Sequence, residues 1–167
     1  MPRKNTLKIT FIGILVILLA LCVILLAELI PLWSAKRSFQ KDIRYLQKAT
    51  DIAYISVSDP LAQTGDILLS GTEYRIEQSE KASAAARALA DCLSGFTLKK
   101  REDASAGDWD LRVRICPLQT ENDQKTPIDF FFRTDGVYIS NGKVRFIFTG
   151  AEGDIKETAL ALLETFR

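Results

Sequence analysis

The sequence predicts an α+β protein: an N-terminal transmembrane helix, then a two-layer sandwich of a mainly antiparallel sheet with two helices packed on one face. Three observations predict it. An uncharged apolar run of 19 residues, Ile9 to Ala27, stands near the N-terminus. Four segments between residues 111 and 148 alternate apolar and polar side chains with the period of two of a half-buried strand. Residues 79–94 and 155–166 place apolar side chains along one face at helical spacing.

Residues 1–8 form a basic tail carrying Arg3, Lys4 and Lys8. The apolar run behind it is long enough to cross a hydrocarbon layer of ~30 Å at a rise of about 1.5 Å per residue. Glu28 follows, and Pro31 and Trp33 mark the far interface, where an indole ring favours the headgroup level. Residues 9–33 are therefore expected to span a bilayer, with lipid contact from Ile9 to Trp33. The run is longer than a cleaved signal peptide's apolar stretch, and the following LIPLWSAKR lacks a small-residue cleavage pattern, so it reads as an uncleaved signal anchor. Cys22, preceded by Leu21, has no lipoprotein setting. A long N-terminal helix leading into a β-rich domain is similar in outline to the pseudopilins. Their processing signature needs a leader ending in glycine and an early glutamate. Gly13 is the only glycine in this run and the first acid is Glu28, so only the outline is shared.

Three cations precede the span, and five (Lys36, Arg37, Lys41, Arg44, Lys48) follow closely. Counting favours a cytoplasmic domain. The cost of exporting the basic tail favours the opposite, and the expectation is an inside N-terminus with an extracytoplasmic domain. Residues 34–50 read as a basic juxtamembrane helix whose narrow apolar stripe, Phe39, Ile43 and Leu46, leans on the domain or the membrane surface. A dimerising coiled coil would need three or four heptads, more than this segment holds.

Residues 51–167 form one small α+β domain. Residues 52–58 and 67–70, and then EYRIE, read as strands. Ser79 is expected to cap a helix with Ala85, Leu89, Cys92 and Phe96 on its inner face, ended by Gly95 in a left-handed conformation. LRVRIC, IDFFFR, VYIS and KVRFIF follow, and Asp135–Gly136 and Asn141–Gly142 signal tight hairpins in the last three. Asp154 with Glu157 announces a capped final helix.

Charge narrows the functional classes. Residues 1–50 hold 8 basic and 2 acidic side chains, and residues 51–167 hold 14 and 19, giving nets of +6 and −5. An acidic domain is a poor general nucleic-acid binder. The chain has no histidine, which removes His-dependent nucleophile and metal arrangements. Cys92 and Cys116 lack C-x-x-C spacing and are expected as separate thiols. The acids Glu102, Asp103, Asp108, Asp110, Glu121 and Asp123 read as solvated loops without metal-binding spacing. No catalytic set, metal site or cofactor is implied.

Period two assigns Arg112, Arg114, Cys116, Asp129, Phe131, Arg133, Tyr138, Lys143, Arg145 and Ile147 to the sheet face turned away from the helices. Five cations against one acid, interleaved with aromatics, form a candidate binding face for an anionic ligand or protein. Arg112, Arg114, Phe131, Arg133, Tyr138 and Arg145 would carry it. The alternatives are an ordinary solvated face, or one covered by the N-terminal strands or the connector. The expected function is a membrane-tethered, non-enzymatic binding module, with an accessory subunit as one form of that reading. A structural part in a membrane assembly and a carboxylate- or Ser/Lys-based enzyme are the competing classes.

Overall fold

The computed structural model describes residues 3–58, 73–102, 109–119, 125–134, 136–141, 144–150 and 153–167. Among the described residues, three helices and seven strands follow one another: α1 (Arg3–Gln47), β1 (Ile52–Ser58), β2 (Glu73–Ile76), α2 (Ser79–Leu93), β3 (Thr97–Glu102), β4 (Leu111–Pro117), β5 (Ile128–Arg133), β6 (Gly136–Asn141), β7 (Val144–Thr149) and α3 (Ile155–Glu164). The chain divides into two compact units, residues 1–34 and 35–167.

The first unit is the apolar part of α1. Large apolar side chains from Phe11 to Ile30 are exposed, and the helix is long and apolar enough to cross a membrane. Pro31 lies inside the helix.

The second unit begins within α1. The predicted stripe is buried: Phe39, Ile43 and Leu46, extended by Ala35 and Ala49, are at most 5% exposed. The Phe39 ring stacks on Phe148 with centroids 4.1 Å apart and meets Phe130 edge-on at 6.2 Å. The connector is thus a third helical layer element, where two helices were expected, and it packs on the domain.

All strand pairs are antiparallel, in the order β2-β1-β4-β5-β6-β7-β3. The face predicted to be apolar is the core: Leu111, Val113, Ile115, Phe130, Phe132, Val137, Phe146 and Phe148 are buried, joined by Ile55 and Val57 of β1 and by Tyr74 and Ile76 of β2. β1 and β2 extend the sheet beside β4, so neither they nor the connector cover the opposite face. Residues 67–70, expected as a strand, lie outside the described residues. β3 was not foreseen; it pairs with β7, its register shifting between Leu98 and Lys100.

Several local expectations are corrected. Ser79 opens α2 but does not cap it: Gln78 is the N-cap residue, and the Ser79 hydroxyl donates to the Ile52 carbonyl at 2.8 Å. The buried face of α2 runs through Ala82, Ala85, Ala86, Leu89, Ala90 and Leu93, leaving Cys92 only half-buried. Four alanines there, with the buried Ser83, let the helix sit close to β1. The helix closes through Phe96 N–H donating to the Leu93 carbonyl, with Ser94 right-handed and no left-handed Gly95. Gly136 is a strand residue, not a left-handed turn residue. A Cβ there would come within 2.7 Å of the Phe148 carbonyl oxygen. The register pairs Arg133 with Gly136 and Asn141 with Val144, so both expected hairpins are present, each with its pairing one residue away from the expected Asp135–Gly136 and Asn141–Gly142 turns. Asp154 caps α3, accepting from Glu157 N–H at 3.1 Å, just after Gly153 with φ of 132°.

Candidate binding face

The registers define the face opposite the helices. Arg112, Arg114 and Cys116 of β4 stand across from Phe131 and Asp129 of β5 on one side, and from Ser58, Ser56 and Tyr54 of β1 on the other. Beyond β1, Arg75 of β2 pairs with Ser56. Arg75 was not foreseen on this face; alternation within EYRIE is the signal for it, but only the strand order places it two strands from Arg114. Its guanidinium lies 5.2 Å from the Tyr54 ring centroid.

Asp129 is the organising centre. Arg112 donates through Nε at 3.3 Å and Nη2 at 3.1 Å, and Arg114 through Nε at 2.8 Å and Nη2 at 3.0 Å. Two guanidinium forks therefore share one carboxylate, leaving a net positive charge and keeping both Nη1 groups out of the forks. The Asp129 hydrogen bond is the main reason that Arg114 is held above its ordinary pKa. The Tyr54 hydroxyl is pushed up chiefly by its hydrogen bond with Cys116. Arg112 also lies 5.7 Å from the Phe131 ring.

The face is partly roofed. Trp109, just before β4, is buried and its ring sits 5.5 Å from Phe131. Ile147, assigned to the polar face by its alternation, is fully buried. A solvated sheet face would leave it exposed. The signal for Trp109 is weak in the sequence, since it stands alone between two aspartates.

Of the six predicted site residues, Arg112, Arg114 and Phe131 are thus brought together, with Arg133 two residues along the same strand face, half-buried. Tyr138 stands opposite Phe131 and Ile147, and Arg145 opposite Ser140 and Glu102, by backbone register. The side chains of Tyr138 and Arg145 lie outside the described residues, as do Asp103, Asp108, Glu121, Asp123 and Lys143. Cys22, Cys92 and Cys116 are free thiols, with Cys116 buried. Expected on the outer face, it is instead closed off from solvent, opposite Tyr54 of β1.

The chain matches no protein-family model, no curated protein and no solved structure.

Proposed function

We propose that the chain is a single-pass membrane protein, anchored by Ile9 to Trp33, whose extracytoplasmic domain is a non-enzymatic binding module. Its binding face is the one centred on Asp129, and its partner is a protein or surface component rich in carboxylate or phosphate. The observation that supports this reading is the shared carboxylate. Two forks pinned on Asp129 fix the planes of Arg112 and Arg114, so their remaining donors need no further ordering when an anion arrives.

Charge reversal of Arg112 or Arg114 would crowd a second carboxylate against Asp129 and so disturb the fold together with the binding. A cleaner test replaces Asp129 and, separately, Arg133 with Arg145. Full-length protein in nanodiscs of neutral lipid is titrated with polyglutamate and with polyphosphate at moderate salt. Asp129→Asn unpins both forks and Arg133→Gln with Arg145→Gln removes two cations, and each change should weaken binding, by roughly tenfold for each charge-assisted bond lost. Equal binding by all three proteins would overturn the assignment of this face.

A further inference from the structure

The solvent side of the connector carries a second, separate arrangement. Arg37, Lys41, Arg44 and Lys48 recur at i, i+4, i+7 and i+11, and all four are exposed. At 100° per residue its helical part, Arg37, Lys41 and Arg44, lies nearly opposite the buried row of Ala35, Phe39, Ile43 and Leu46, with Lys48 following just past the end of α1. That part runs about 10 Å along the axis at 1.5 Å per residue. The one acid of the connector, Asp42, is half-buried on the other side.

Beside this row lies a cavity of about 150 Å³ lined by Phe39, Gln40, Ile43, Arg44, Gln47, Ser94 and Phe96. Phe39 and Ile43 are buried and Phe96 is half-buried, giving an apolar floor. The rim is polar and held in place: Gln47 Nε2 donates to Asp91 Oδ1 at 3.0 Å, and the Ser94 hydroxyl donates to the Asp91 carbonyl at 2.8 Å. A space of this size accepts one benzene-sized group. Arg44 belongs to both features, standing in the cation row and on the cavity wall.

We infer that this surface docks an acidic segment of a partner protein, with one leucine- or phenylalanine-sized side chain seated in the cavity and carboxylates along the cation row. Charge complementarity selects an acidic partner, and the cavity selects an apolar anchor within it. Insertion of the connector into lipid would need its apolar face, and that face is already buried against the sheet. The inference does not depend on the Asp129 face, which lies on the other side of the sheet.

The test is selection of short random peptides against full-length protein in nanodiscs of neutral lipid. The expected result is enrichment of peptides with several acids flanking one large apolar residue. Their binding should fall at least about tenfold in Lys41→Glu with Arg44→Glu, and also in Gln40→Trp, which plugs the cavity from an exposed position. Lys156→Gln, on α3 and in neither arrangement, should leave it unchanged, and circular dichroism and melting curves should confirm that each variant is folded. No enrichment, enrichment without acids, or undiminished binding to both connector variants would overturn the inference. So would strong binding of these variants' parent to vesicles of anionic lipid that both variants lose while the peptides still bind.

Discussion

Ser83 is a buried polar side chain whose position is explained by a single backbone amide. β2 pairs with β1 only from Ile55 onward, so Ile52 at the start of β1 has no strand partner on that side. Ser83 Oγ accepts from Ile52 N–H at 3.2 Å, and Ser79 donates to its carbonyl. Ser83→Ala should therefore leave a buried N–H unsatisfied and cost about 1–3 kcal/mol, read as a lower denaturation midpoint. Tyr74 is the converse case. Its hydroxyl is buried with no hydrogen-bond partner among the described residues, and burial pushes its pKa up. The Arg167 guanidinium lies 5.0 Å from the ring centroid, a contact that phenylalanine would keep. Tyr74→Phe should consequently raise stability by about 1 kcal/mol, and a lower melting temperature would show that the hydroxyl does bond in solution.

At the scale of elements, what was legible followed from periodicity, and what was missed depended on contacts distant in sequence. The meander from β5 to β7, the cap at Asp154 and the connector's stripe all appear as local patterns, because each is decided by residues within one or two turns of each other. β3 escaped because TLKKRE has only one apolar side chain, Leu98, facing a core otherwise supplied by β7. The buried face of α2 lies one position away from the expected one, because Leu93 rather than Cys92 follows Leu89 into the core. For the candidate face, alternation found Arg112 and Arg114 but could not reveal that both grip Asp129, nor that Trp109 and Arg75 join them. The connector carries a pH signature of its own. Burial raises Asp42 above the ordinary carboxyl value of 3.8, so the folded protein binds that proton more tightly than the unfolded chain. Stability tied to Asp42 is therefore fully present below 3.8 and lost as pH rises through the raised value. Asp51 has the opposite sign. Its hydrogen bond from Lys125 holds it below 3.8, so its contribution is present at neutral pH and lost as acid takes the solution through the lowered value. Asp42→Asn should melt higher than wild type at pH 7, with the gap closing towards pH 3.8, whereas Asp51→Asn should melt lower at pH 7. Thermal melts across that range check both, and parallel curves for all three proteins would refute the assignment.

For the whole molecule, charge partition is the governing feature, with a net of +6 over residues 1–50 and −5 over residues 51–167. If α1 crosses a bilayer, its cations stand in two groups, Arg3, Lys4 and Lys8 before the apolar run and five after it. Orientation is a contest between them, because cations on the side to be exported oppose transfer. The five downstream cations are attached to a domain of more than a hundred residues, and long domains translocate largely regardless of charge. The short tail has no such latitude. The proposed arrangement keeps the tail inside and exports the domain, so protease added to intact cells should digest the domain while the tail stays protected. Replacing Arg3, Lys4 and Lys8 by glutamine removes the retaining charge but leaves the five others, and should convert a measurable fraction of molecules to a protected domain. Converting Lys36 and Arg37 to glutamine should produce no such inversion. Protection of the wild-type domain until the cells are lysed would reverse the proposed orientation and move its partners to the cytoplasmic side.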